Sequence, residues 1–123
     1  MSYILTWESD GVYWKYTGVI TGEEIIEGST AIYGDERFDD LSYKLVDFTE
    51  AESIKMSREQ MEVIAYQHKA AQVSNYYIKT AIVINSGSTL AYSFAEFFKD
   101  LKWDVEVFEE LDKANEWLER AVT

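Results

Sequence analysis

One polar stretch and three isolated side chains hold the residue types that do chemistry. Asn85-Ser86-Gly87-Ser88 follows an apolar run and precedes a helical pattern. Hydroxyls and free backbone N–H groups at a helix start suit an anion. A capped turn without a ligand explains the same residues, and the Gly-Lys-Ser/Thr element of a phosphate loop is missing. Asp47, expected at the end of a central strand, suits a cation or a positioned base; it equally suits a turn cap onto the backbone of Thr49 or Glu50. Ser57 precedes Gln60 by three residues, the spacing of a helix capping box. His68 is the only histidine. It falls on an apolar helix face, which predicts a core or interface histidine rather than a ligand. One histidine and no cysteine do not make a zinc set. Nothing in the sequence sets Ser57 or Ser86 beside His68, so no Ser-His-Asp arrangement is supported. No catalytic residue, metal or cofactor is predicted.

Tyr92, Phe94, Phe97 and Phe98 crowd one segment. They exceed what one buried helix stripe needs, and Tyr92 lies off the main stripe. Core packing accounts for most of them, while Tyr92 is the candidate exposed contact residue. The paired carboxylates Glu23/Glu24, Glu50/Glu52 and Glu109/Glu110 sit at helix starts or in loops, where solvation or the helix dipole explains them.

The elements that position these residues are legible from period and punctuation. Residues 3–8 and 12–17 have strand composition. The Ser9-Asp10-Gly11 turn between them predicts an antiparallel pair, with Gly11 free to take positive φ. Thr21-Gly22-Glu23-Glu24 is a capping box that opens a helix, in which Gly28 costs helix stability but permits close packing. Strands follow at 43–48 and 79–84, joined by a helix from Ser57 to about Ser74 with Met61, Ile64, Ala65, His68 and Ala71 on one face. This is a βαβ unit, with parallel strands and a right-handed crossover. Residues 49–56 read as an irregular connection. A third helix is expected at 88–101, then a strand at 104–108 and an amphipathic helix carrying Leu111, Ala114, Trp117 and Leu118. The order β-β-α-β-α-β-α-β-α predicts a mixed, mostly parallel five-stranded sheet with four helices in one domain over 1–123.

Composition narrows the function. Of 123 residues, 47% are hydrophobic and 15% aromatic, enough for one core. Eleven basic against twenty-three acidic residues give a net charge of −12. Such a chain is a poor partner for nucleic acid or an anionic membrane surface. No apolar run approaches the roughly 20 residues of a membrane span, so integral membrane association is not expected. The first residues carry no charged-then-apolar leader, and a cytoplasmic protein is the expectation.

The chain resembles the SpoIIAA-like proteins, which include the STAS domains, and is similar to small stand-alone bacterial members of uncharacterised function. The resemblance rests on a hairpin ending in Tyr16-Thr17-Gly18 and followed by Ile20-Thr21-Gly22-Glu23-Glu24, and on Asp35-Glu36-Arg37-Phe38. It rests further on Leu45-Val46-Asp47-Phe48, Met56-Ser57, Ala81-Ile82-Val83, and Val105-Glu106-Val107-Phe108 before Trp117-Leu118. It implies an α/β SpoIIAA-like fold and a non-enzymatic regulatory or protein-interaction module, acting on a protein partner or through self-association such as a homodimer. The alternative is a carrier or sensor of a small apolar or anionic ligand near the helix at 88–101. Anti-sigma-factor antagonists carry a phosphorylatable Ser near the place of Ser57, within an Asp-Ser-Ser-Gly-like turn. Lys55-Met56-Ser57-Arg58 lacks that Asp and Gly, which predicts a helix cap rather than a phosphoswitch.

Overall fold

The first pairing is set by a tight turn. β1 (Tyr3–Trp7) and β2 (Gly11–Thr21) are antiparallel, in register from Tyr3↔Tyr16 to Trp7↔Val12. The Glu8 N–H donates to the Gly11 carbonyl at 2.8 Å and closes the hairpin. Gly11 does not take the positive φ expected of it. It is required by close approach: a Cβ there would lie 2.3 Å from the Tyr43 ring.

The computed structural model describes residues 2–73, 75, 77–85, 96 and 103–120. After β2 come α1 (Gly22–Thr30), a 3-10 turn (Glu36–Asp40), β3 (Tyr43–Lys55), α2 (Arg58–Ala71), β4 (Lys79–Val83), β5 (Asp104–Phe108) and α3 (Leu111–Leu118). Among the described residues the five strands form one sheet in the order β1-β2-β3-β4-β5, with only β1–β2 antiparallel. This is the mixed, mostly parallel sheet expected. Three α-helices are described by their bounds; the helix expected at 88–101 lies outside the described residues except for Glu96, which is helical.

β2 and β3 are longer than their apolar runs. Beyond Val83, where β4 leaves the sheet, β3 continues to Lys55 beside β2, from Thr17↔Glu50 to Thr21↔Lys55. Residues 49–55, expected to be irregular, are therefore strand. Main-chain pairing holds this ribbon, and its polar side chains give no apolar signal. Its register slips once between Lys15 and Thr17 and again between Gly18 and Val19.

Alternation divides the sheet into two faces. Val12, Trp14 and Tyr16 of β2, with Val46 and Phe48 of β3 and Ile82 of β4, meet Ile25 of α1 and Met61 and Ile64 of α2 in the larger core. Tyr43, Leu45, Ala81 and Val83 meet Ala114 and Leu118 of α3 in the smaller one. α1 is held down by its glycine. The Trp14 indole Nε1–H donates to the Gly28 carbonyl at 2.9 Å, and a Cβ on Gly28 would lie 2.5 Å from the Tyr16 hydroxyl. α2 stops at Ala71, short of the expected Ser74, and the Asn75 N–H donates to the Ala71 carbonyl at 3.3 Å. The Asn75 Nδ2 donates to the carbonyls of Phe38 and Leu41 at 2.9 and 3.0 Å, tying the 3-10 turn to the core.

Gly11→Ala forces the Tyr43 ring, and with it the start of β3, out of place. It is expected to destabilise the fold by about 1–3 kcal/mol, as overpacking does. Urea denaturation should show a lower midpoint at an unchanged m-value.

Candidate functional site

Lys44 is a buried cation with no carboxylate partner among the described residues. On β3 it alternates with Tyr43 and Leu45, so it points to the larger core together with Val46 and Phe48. β3 is flanked on both sides there, and the side chain is 2% exposed. Its Nζ lies 4.5 Å from the centroid of the Trp103 ring and 5.5 Å from that of Tyr33, within cation–π reach. It lies 3.3 Å from Nε2 of His68. No described carboxylate pairs with it. Burial alone pushes the Lys44 amine down to about 7, because the charged form has lost its hydration without gaining a counter-ion.

His68 faces it from α2. Its Nδ1 is 2.9 Å from the Ile64 carbonyl, one turn back. A carbonyl only accepts, so Nδ1 carries the proton and Nε2 offers its lone pair to the Lys44 amine. Burial first, and then the Lys44 charge, hold the His68 imidazole well below its usual range. The ring also packs edge-on against Trp103, 5.5 Å between centroids. His68 is thus the core histidine that its helical spacing implied.

Thr80 completes the group. It is the direct register partner of Lys44 on β4, it is 4% exposed, and its Oγ1 has no hydrogen-bond partner. Lys44, His68 and Thr80 line one cavity of about 50 Å³ with Trp14, Val46 and Ile82. The arrangement sets one amine and one unpartnered hydroxyl in the same mostly apolar space, whose lining also includes Tyr16 and Ser29, the latter donating to the Ile26 carbonyl.

The residues singled out in the sequence are dispersed. Asp47 lies within β3, not at its end, and faces α3. Its Oδ2 accepts from the Tyr13 hydroxyl at 2.8 Å, and its Oδ1 accepts from the Thr49 N–H at 2.9 Å. That second bond serves the first register slip, where Phe48 and Thr49 together oppose Tyr16 between the pairs Lys15↔Asp47 and Thr17↔Glu50. Asp47 is therefore the backbone cap of the alternative reading, and Thr49 is the residue it caps. Burial first, and then the bond to Asp47, push the Tyr13 phenol up to about 12. Ser57 sits beyond the far end of β3, where its Oγ accepts from the Gln60 N–H at 3.1 Å and Gln60 reciprocates at 2.9 Å. This is the expected capping box. Asn85 lies beside the β3 extension, donating to the Ala51 carbonyl at 3.3 Å. Ser86, Gly87, Ser88 and Tyr92 lie outside the described residues. The structure brings Asp47 and Thr49 together and joins neither to Ser57.

Sequence reasoning missed Lys44 and Thr80. The signal existed in the alternation of Lys44, Val46 and Phe48 on a strand already read as central.

On the other face Arg120 grips Glu8 through Nε and a terminal nitrogen, at 2.8 and 2.7 Å, and the Tyr43 hydroxyl donates to the same carboxylate. The Arg120 bond, with burial opposing it, holds the Glu8 carboxyl below its usual range. This network ties the β1–β2 hairpin to the end of α3. Among the described residues no group of His, Asp and Glu is arranged to hold a metal ion, and no helix is long and apolar enough to cross a membrane.

No protein-family model and no curated protein matches the chain. Two solved structures share its architecture. One is an uncharacterized protein of the DUF3478 family with a SpoIIAA-like fold from Shewanella loihica PV-4. It is 18% identical, with a TM-score of 0.53 over 94% of this chain and 91% of that one. The other is the anti-sigma factor antagonist SpoIIAA in its unphosphorylated form. It is 12% identical, with a TM-score of 0.56 over 98% of this chain and 99% of that one. The chain has a SpoIIAA-like fold.

Two measurements check this reading of the site. Ser57→Ala removes one half of a capping box and is expected to cost about 1 kcal/mol in chemical denaturation. Lys44→Met is expected to stabilise the protein at pH 7 by about 2 kcal/mol, the relief of the buried amine exceeding the lost bond to His68. The amine titrates near 7 in the folded chain and near 10.5 when unfolded. Between those values the unfolded chain holds the extra proton, so wild-type stability rises with pH from about 7 toward 9. Below about 7 the Lys44 penalty is complete, and His68 removes further stability as its unfolded form takes up a proton. The advantage of Lys44→Met should therefore shrink between pH 7 and pH 9; a constant advantage contradicts an amine depressed by burial.

Proposed function

We propose that the chain is a single non-enzymatic module, residues 1–123, that works by protein association in the cytoplasm, as STAS-like domains do. The SpoIIAA-like fold supports this reading at the level of architecture. The observation that carries it is a stripe on the solvent side of α2.

Met61, Ile64 and His68 face the core. On the outer side Val63, Tyr66 and Ala70 are exposed, and Val73 follows just beyond the helix end. Their spacing of three, four and three residues is that of a seam between packed helices. Tyr66 is 76% exposed and Val73 84%. Large apolar groups in a continuous row on a chain of net charge −12 are a docking feature rather than a solubility feature.

The charges beside the stripe select its occupant. Glu59 and Glu62 lie toward the start of α2 and Lys69 toward its end, all exposed. Glu62 is held only by an exposed 3.5 Å bridge to Arg58. A second copy of α2 laid antiparallel, centred near Tyr66, sets Glu62 of each copy against Lys69 of the other. A parallel copy sets like charges together. The pairing is two-fold and self-complementary, which closes a homodimer.

Native mass spectrometry and sedimentation, run across a concentration series, test this. The wild-type chain is expected to dimerise in the micromolar range, and Tyr66→Glu to weaken the dimer at least tenfold with the folded state retained. Lys69→Glu is expected to weaken it, and Lys69→Glu with Glu62→Lys to restore it. A wild-type chain that stays monomeric, or a dimer indifferent to Tyr66→Glu, would overturn the reading.

A further inference from the structure

Beyond association through α2, the interior cavity has the features of a ligand site. Two polar side chains line it that lack a full complement among the described residues: the Lys44 amine, which has His68 but no counter-ion, and the Thr80 hydroxyl, which has no partner. Both are more than nine-tenths buried. Burying an amine without a counter-ion, or a hydroxyl without a partner, costs stability. Their positions are matched. Lys44 and Thr80 are register partners on adjacent parallel strands, so their side chains leave the sheet together on one face. Around them Phe48, Ile64 and Ile82 offer only carbon, and the Trp14 indole N–H and the Ser29 hydroxyl, also at the lining, are spent on the carbonyls of Gly28 and Ile26.

We propose that this cavity binds a small monocarboxylate of about acetate or propionate size, with one carboxylate oxygen on the Lys44 ammonium and the other accepting from the Thr80 hydroxyl. Three features select that class. The ligand is anionic, because the missing partner is a counter-ion to a buried cation and no described carboxylate supplies one. It presents two acceptor atoms, because two donors from adjacent strands line the one cavity; a carboxylate does so and chloride does not. It is small and carries a short apolar tail. The volume of about 50 Å³ exceeds several-fold the roughly 10–15 Å³ that one water needs. It falls far below the roughly 300 Å³ of sites for larger organic ligands.

Binding is linked to a proton. A carboxylate favours the charged amine, so the ligand draws Lys44 toward the ammonium form. Among the described residues the other titratable groups facing the site are His68 from α2, Tyr16 from β2 and Tyr33 from the turn after α1. Burial keeps the two phenols protonated and the imidazole neutral near pH 7. Above pH 7 the site must take up one proton per ligand, and affinity should fall about tenfold for each further pH unit. His68 keeps its Nδ1–H on Ile64 throughout and accepts from the amine, which aims the remaining ammonium protons at the cavity.

Sodium acetate added to the purified chain tests the site, with sodium chloride at equal concentration and neutral acetamide as controls. Acetate is expected to raise the thermal midpoint at pH 6.5 beyond either control, and to lose this effect toward pH 9. In ¹³C,¹⁵N-labelled protein, acetate should shift the Lys44 side-chain titration upward. Lys44→Met should abolish the acetate-specific shift while remaining folded. Thr80→Val should weaken binding at least fivefold and Thr80→Ser should preserve it. Equal stabilisation by acetate and chloride, or an acetate effect that survives Lys44→Met, overturns the proposal. So does a Lys44 titration that acetate leaves unmoved. The α2 dimer stands or falls separately, since Tyr66→Glu leaves every cavity residue in place.

Discussion

The parallel pairing of β2 with β3 is the constraint from which the other parts of the molecule take their places. It runs from Gly11↔Tyr43 to Thr21↔Lys55, longer than any other pairing among the described strands. At its near end it requires a residue without a side chain, since the Tyr43 ring occupies the space beside Gly11. At its far end it delivers Thr21 and Ser57 to one tip, where each caps its own helix. There a Cβ on Gly22 would meet the Gln60 side chain at 2.0 Å, so the capping residue of α2 lies directly on the start of α1. The register between these ends decides which β3 residues face which core. Lys44 goes to the side of α1 and α2, and Asp47 to the side of α3.

The two faces spend their polar residues differently. On the α3 face the described carboxylates Glu8 and Asp47 are both hydrogen-bonded. Glu8 has Arg120 and Tyr43, and Asp47 has Tyr13 and the Thr49 N–H. These bonds fasten hairpin to helix and cap a bulge, and they leave little chemistry to spare. On the opposite face Lys44 has two ring faces and a neutral histidine, none of which cancels a full charge. The electrostatic cost is concentrated at one point of an apolar core. Such localised costs recur where a site is kept ready for something, which is the physical ground for looking there for a ligand.

How the sequence could be read depended on which force shaped each segment. Where burial dominated, the pattern was plain. Leu45–Phe48, Ala81–Ile84 and the face of α2 carrying Met61, Ile64 and His68 announced themselves by composition and spacing. Capping was equally plain, because Thr21 with Glu24 and Ser57 with Gln60 are local chemistry. Residues 49–55 were misread because main-chain pairing to β2 holds them, and hydrogen bonds between backbones leave no mark on side-chain choice. Gly11 was understood as a turn residue when its constraint came from Tyr43, thirty-two positions away. Asp47 was seen as a strand end for the same reason that 49–55 was seen as a loop.

The sequence by itself determined the order of the elements, the mixed sheet, both capping boxes and the histidine's place in the core. Each of these follows from periodicity or from contacts a few residues apart, and such information is complete within a window of the chain. The exposed stripe of α2 and the charges beside it are local in the same sense, although only the packed fold shows which helix face stays uncovered. Tertiary structure alone decided that Lys44 has no counter-ion among the described residues, that Thr80 is its register partner, and that Asp47 and Thr49 do not converge with Ser57. Those facts depend on the register of β3 against β2 and β4. A shift of one residue would exchange the two faces and send Lys44 to α3. Register is fixed by the summed packing of both cores, a sum that no single stretch of sequence contains.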